Sequence, residues 1–312
     1  MITVFLSTYI HCGVLFMYLG IVCALLTATL QPISYLLSRL FFVRGGRTLE
    51  LTIYSYTFMG LLSVFLLFSQ RKILSFEPRM IVLTLFCMLT ILTAQLFYFF
   101  AVKVVEASRL SSMLGLKIIF LVFLNMLLFS QSLGFLHWLA VLLCASAGLI
   151  MNRSGLSINM KSLLAILCCC FFLAASDIAD FSLVSAVTEQ ASPLQKGIIA
   201  TAYCYIGLGI VFLPGLFFIK LDRKKFITTI PYSLVWLLAM VFFYLSVGLL
   251  GTVFTSIIQS SRGLISVLLG ALFSYLGYVS VESKADKKTW IARATAAIMI
   301  MLAAIIFTCI PA

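Results

Sequence analysis

Ten stretches of 18 to 26 residues carry few charges, and short polar segments separate them. A bilayer core about 30 Å thick needs roughly 20 apolar residues in a helix. Lipid offers no partners for backbone N–H and C=O groups, so such stretches must satisfy them internally as helices. The runs fall at Val14–Leu37, Leu51–Phe68, Arg79–Ala101, Ala107–Phe129, Gly134–Met151, Ser162–Val187, Leu194–Ile219, Ile230–Val247, Thr252–Leu276 and Thr289–Ile310. Two connections, Ser130–Leu133 and Gly248–Gly251, are very short. Hydrophobic residues make up 63% of the 312 and charged ones only 10%. That excludes a soluble enzyme, a disordered chain and a disulfide scaffold, because soluble globules are about a quarter charged. The expected fold is an all-α polytopic membrane protein of ten transmembrane helices.

The cysteines agree with this. Eight of the nine lie inside apolar runs and Cys12 lies at the edge of one, with no CxxC motif and no Cys/His metal spacing. They act as small packing residues, and no metal or cofactor is expected. The opening MITVFLSTYIHCG has no basic segment, so it is not expected to be a cleaved leader.

The net charge of +12 would suggest nucleic acid in a soluble protein. Here it is a topology signal, and no nucleic-acid partner is expected. Of the 21 cations, fifteen fall in loops after odd-numbered runs, from Arg39 to Arg293. Four (Arg71, Lys72, Arg79 and Lys196) follow even-numbered runs. The positive-inside rule then places both termini outside the cytoplasm. Only Lys117 and Arg262 fall close to the middle of a run.

The chain also repeats itself. Tyr56, Gly60, Leu61, Val64, Phe65 and Leu66 of the second run match Tyr203, Gly207, Leu208, Val211, Phe212 and Leu213 of the seventh, at an offset of 147. Phe97/Phe242, Val102/Val247 and Ser111/Ser256 match at 145, and Lys117 falls opposite Arg262. His137-Trp138-Leu139-Ala140 opens the fifth run as Thr289-Trp290-Ile291-Ala292 opens the tenth. The unit is five helices, residues 1–155 and 156–312. Five is odd, so the second copy enters the membrane from the opposite side. Such inverted repeats build many secondary transporters, with the substrate near the midplane at the repeat interface.

The segment GLKIIFLVFLNMLLFSQSLGFLHWLAVLLCASAGLIM from Gly115 resembles the fourth helix, tight turn and fifth helix of the drug/metabolite transporter superfamily. The EamA-like and nucleotide-sugar-transporter-like branches are the most similar. SSRGLISVLLGALFSYLG from Ser260 resembles the matching ninth helix. The resemblance implies ten helices in two inverted repeats and a cavity lined by the third, fourth, eighth and ninth. Many EamA-like members end the fourth helix on an acidic residue, where this chain has Ser130-Gln131.

Lys117 and Arg262 are the sharpest functional signal. A charge at mid-bilayer costs about 2.5 kcal/mol or more, so it faces a cavity or a partner. Two cations at one repeat position would attract an anion, and Arg can hold carboxylate or phosphate bidentately. The competing reading is an ion pair with Asp177 or Asp180. Thr255, Gln259, Arg262 and Ser266 share one helical face. Gln95 and Tyr98 lie within one turn of each other, and the resemblance adds Tyr244 and Ser246. The expected substrate-binding set is Lys117, Arg262, Gln259, Gln95, Tyr98 and Tyr244. Asp177 and Asp180, spaced i, i+3, are candidates for ion coupling or for counter-ions. His137 and the three tryptophans, Trp138, Trp236 and Trp290, fit an interfacial belt, and Gln31-Pro32 fits a kink.

The reading that follows is a secondary transporter of a small organic, anionic metabolite working by alternating access. Its alternative is an exporter of amino acids or drug-like solutes on the same fold. A membrane enzyme would need a nucleophile, base or metal constellation that the sequence lacks, so no enzymatic activity is expected. The short loops point to a bacterial inner membrane, the partners are a small-molecule substrate and the bilayer, and a homodimer is compatible with the fold.

Overall fold

The computed structural model describes residues 2–73, 77–129, 158–219, 222–277 and 287–309, with isolated residues between 135 and 150. Every regular element among the described residues is helical: α1 (Ile2–Val43), α2 (Thr48–Ser69), α3 (Pro78–Val102), α4 (Ala107–Met113), α5 (Lys117–Phe129), α6 (Met160–Ala186), α7 (Pro193–Phe212), α8 (Arg223–Ser260), α9 (Arg262–Tyr275) and α10 (Lys287–Cys309). Short 3-10 turns occupy Leu114–Leu116 and Leu213–Phe217. Seven stretches among the described residues are long and apolar enough to cross a membrane: Phe16–Val43, Thr48–Ser69, Pro78–Val102, Arg109–Leu128, Met160–Ala186, Pro193–Phe217 and Arg223–Gly251. On α3, Val82, Leu85, Leu89 and Leu96 recur at helical spacing and are each more than half exposed. A stripe like that suits a lipid-facing surface, whereas water-soluble monomers seldom expose one.

Local chemistry sets the helix starts. The Asn159 side chain accepts the Ser162 amide at the start of α6. Ser192 and Gln195 cap each other's backbone ahead of α7, with Pro193 at the first helical position. Asp222 accepts the amides of Lys224 and Lys225 ahead of α8. Each arrangement satisfies N–H groups that a helix start leaves without an internal acceptor.

The helices pack in an exchanged pattern. α1 lies along α8, α3 along α6, and α2 against α7. α2 and α7 touch backbone to backbone: a Cβ on Gly60 would stand 2.6 Å from Gly209 Cα. Glycine is required there because no side chain fits between the helices. Gly207, the sequence counterpart of Gly60, instead faces the flexible Met88 side chain.

Two predicted spans are broken. The fourth run holds the Leu114–Leu116 3-10 turn between α4 and α5. The eighth and ninth runs join end to end through α8, which breaks at Gly251 (φ 78°, ψ 168°) inside the predicted connection Gly248–Gly251. At Ser261 the chain makes a tighter turn with helical dihedrals (φ −61°, ψ −18°) before α9. Gly251 sits in a backbone region that side chains disfavour. Across this bend, the Ser246 and Thr255 hydroxyls lie 2.9 Å apart.

Lys117 lies near the middle of the span Arg109–Leu128, directly after a tightened 3-10 turn, and Arg262 follows Ser261, whose backbone stays helical (φ −61°, ψ −18°). Several expectations need correction. Arg109 and Arg293, counted among the loop cations, are buried. Each belongs to the first turns of a helix that packs on its neighbours, and Arg293 is ion-paired with Glu106. Trp236 is not a belt residue. It is 3% exposed, and its indole N–H donates to the Tyr205 hydroxyl at 2.7 Å, which removes the need to reach water. Ser130, Gln131 and His137 lie outside the described residues, as does half of the fifth run.

Candidate functional site

The runs that carry the two cations pack together. The Ser112 hydroxyl of α4 donates to the Gly263 carbonyl of α9 at 2.9 Å, beside both cations.

The two cations sit at this junction, and both are buried. Lys117 is 4% exposed and Arg262 is 2% exposed. Lys117 Nζ lies 2.6 Å from Asp177 Oδ2 and donates to Gln259 Oε1 at 2.7 Å. Its ammonium also stands 5.9 Å from the centre of the Phe243 ring. Gln259 Nε2 donates to Gln31 Oε1 at 3.1 Å. Arg262 Nη1 donates to that same Gln31 oxygen at 3.1 Å, and Arg262 Nη2 donates to the Leu114 carbonyl at 2.7 Å. One continuous chain therefore runs Asp177, Lys117, Gln259, Gln31, Arg262, Leu114.

This chain follows the repeat. At an offset of 145, Lys117 matches Arg262 and Leu114 matches Gln259. Lys117 bonds residue 259, and Arg262 bonds residue 114. At an offset of 146, Gln31 on α1 matches Asp177 on α6. Lys117 contacts Asp177, and Arg262 contacts Gln31. The contacts are thus exchanged twins with one chemical difference. Lys117 faces a carboxylate where Arg262 faces a neutral amide. No carboxylate of the described residues pairs with Arg262, and its Nε has no hydrogen-bond partner.

Gln95 and Tyr98 belong to a separate feature. They line a narrow cavity with Tyr35, Trp236 and Leu114. It has room for about one water molecule. The Tyr35 and Tyr98 rings are 4.9 Å apart, and Tyr35 and Trp236 6.0 Å. Tyr98 shares a hydrogen bond with Ser38 at 3.0 Å, while Gln95 Oε1 has no partner. Leu114 joins the two features: its side chain lines the cavity while its carbonyl holds Arg262. Tyr244 stands apart from both, donating to Asp180 Oδ1 at 2.5 Å. The structure therefore gathers Lys117, Gln259, Arg262 and Asp177, and it places Gln95 with Tyr98 and Tyr244 with Asp180 elsewhere. Ser266 is buried on α9.

Sequence reasoning missed Gln31, which touches both Gln259 and Arg262. The signal was present: Thr27, Gln31, Ser34 and Ser38 recur at i, i+4, i+7 and i+11 in the first run, and all four are buried. Tyr35 and Trp236, which line the cavity, carry no such signal: Tyr35 lies in an apolar run, and Trp236 near the start of a run reads as a belt residue.

At the end of the bundle carrying Arg39 and Lys225, ionic contacts tie neighbouring helices. Lys225 on α8 pairs with Glu50 on α2 at 2.7 Å, and Arg293 on α10 pairs with Glu106 just before α4. Arg39 donates to the carbonyls of Val102 and Val105 at the end of α3, satisfying acceptors that the helix leaves open.

Residues 18–153 match the EamA-like transporter family of the drug/metabolite transporter superfamily. No curated protein matches the chain. A crystal structure of a protein aligns with a TM-score of 0.58 at 13% identity, over 93% of this chain and 97% of that one. At that identity the likeness concerns the fold alone. Seven described stretches long and apolar enough to cross a membrane, together with the EamA-like match over residues 18–153, make the chain a multi-pass integral membrane protein.

Proposed function

We propose that this protein is a secondary transporter moving a small organic anion by alternating access between two inverted five-helix halves, residues 1–155 and 156–312. The halves rest on the exchanged packing of α1 with α8 and α3 with α6, and on the twin contacts at the breaks. The anion rests on one observation. Arg262 is a buried cation held only by neutral oxygens, and its repeat counterpart Lys117 is held by a carboxylate. A buried charge needs a compensating partner. An incoming carboxylate or phosphate supplies it at Arg262, where the planar guanidinium offers paired donors. Asp177 is the counter-ion of Lys117. Helices that break beside the site give two rigid parts that can tilt about it. The cation bias of the loops and the short connections fit a bacterial inner membrane with both termini outside the cytoplasm.

A second reading, export of amino acids or drug-like solutes, draws on the aromatic cavity of Tyr35, Tyr98 and Trp236 beside the network. Thermal stabilisation of the purified protein by monocarboxylates, phosphate esters, amino acids and hydrophobic cations separates the two. The anion reading expects stabilisation by carboxylates or phosphates that Arg262→Gln abolishes. Reconstituted Arg262→Gln and Lys117→Gln proteins should likewise lose anion uptake, and unimpaired uptake in both would sink the reading.

A further inference from the structure

Two carboxyls lie one turn apart on α6, and their surroundings differ. Asp177 is ion-paired with Lys117. Asp180 is 2% exposed and has no cation within ion-pair distance among the described residues. Its partners are hydroxyls: Tyr244 of α8 at 2.5 Å on Oδ1 and Ser176 of α6 at 3.4 Å on Oδ2. Cys87 of α3 faces the same carboxyl, and Cys204 of α7 faces Tyr244. These, with Tyr205 of α7 and with Asp177 and Lys117 further along, are the titratable groups among the described residues that face it. The repeat does not impose a carboxyl here. At the offset of 146 that pairs Gln31 with Asp177, the counterpart of Asp180 is Ser34.

We infer that Asp180 is a reversible proton-binding site, distinct from the anion site at Arg262, and that the proton it carries is the coupling ion of transport. The role as coupling ion rests on the transporter reading; the proton binding does not. A buried carboxylate without a cation is costly, and a proton removes that cost where no counter-ion is available. Buried carboxyls of this kind inside membrane helices serve as proton relays. The balance is simple. The carboxyl takes one proton from the side to which the site is open and releases one to the other side. No bond other than O–H forms or breaks. Tyr244 and Ser176 are donors that can turn with the carboxyl as its charge changes. Because Asp180 sits on α6 beside Asp177, its charge state acts directly on the Lys117 pair and through it on Gln259 and Arg262.

Infrared difference spectroscopy on the protein in lipid nanodiscs tests this with protons alone as the probe. The expected result is a carbonyl stretch of a protonated carboxyl that disappears reversibly as pH is raised. It should shift in heavy water, be lost in Asp180→Asn, and change frequency in Tyr244→Phe, which keeps the carboxyl and serves if Asp180→Asn does not fold. A carboxyl band at Asp180 that never titrates while the protein stays folded overturns the proposal, as does a titrating band that persists in Asp180→Asn or ignores Tyr244→Phe. Because no transported solute is present, failure here leaves the anion reading standing. Failure of the Arg262 screen likewise leaves this titration untouched.

Discussion

The two halves of the central network solve the same problem differently. In each, a buried cation follows a tightened turn within its helical run. Each cation reaches across to the other run, Lys117 to Gln259 and Arg262 to Leu114. The difference is on the facing helix. Asp177 neutralises Lys117, whereas Gln31 leaves Arg262 charged. On the proposed reading, a duplicated scaffold has changed one charge, so that one half carries its own counter-ion and the other receives one from a substrate.

The largest effect should come from breaking the neutralised half. Asp177→Asn leaves Lys117 buried without its counter-ion and should cost about 3–5 kcal/mol in denaturant or thermal unfolding in detergent. Lys117→Met with Asp177→Leu should recover most of that loss, because an apolar pair avoids the desolvation of both charges. A smaller cost is expected in the other half. Arg262→Met removes a cation with no carboxylate partner among the described residues, together with its charged hydrogen bonds to Gln31 and to a Leu114 carbonyl that keeps the Lys117 backbone N–H, worth about 1.5–3 kcal/mol. Equal losses in the two halves would erase the distinction between them. Next comes the α2–α7 contact. Gly60→Ala drives a Cβ into the Gly209 backbone and should cost about 1–2 kcal/mol, in the range of overpacking. Gly207→Ala should cost less, since only the end of the Met88 side chain must move. Smallest is Glu50→Gln at the rim, where the partly exposed pair with Lys225 is worth about 1 kcal/mol or less, checked by the same unfolding curves.

Much of this was legible in the sequence. The helices follow from apolar runs, and the pairing of Lys117 with Arg262 follows from a nearly constant offset, since duplicated chains keep register. The 3-10 turn at Leu114–Leu116 was not legible, because the segment carries no proline to mark it. Gln31 was hidden by its neighbour Pro32, which reads as a kink. The aromatic cavity was hidden because Tyr35 and Trp236 have no polar periodicity of their own. Tyr98 and Gln95 share a helix turn in both views, but only the packing of α1 and α8 shows that their partners are aromatic rings and not Lys117.

Gln31→Glu tests the central claim most directly, because it gives Arg262 the carboxylate that Lys117 already has. The measurement is thermal stabilisation of the purified variant by the anion that stabilises the wild-type protein. A charge-neutralised Arg262 should keep the fold intact and abolish that stabilisation. Anion stabilisation undiminished in a folded Gln31→Glu protein would contradict the account.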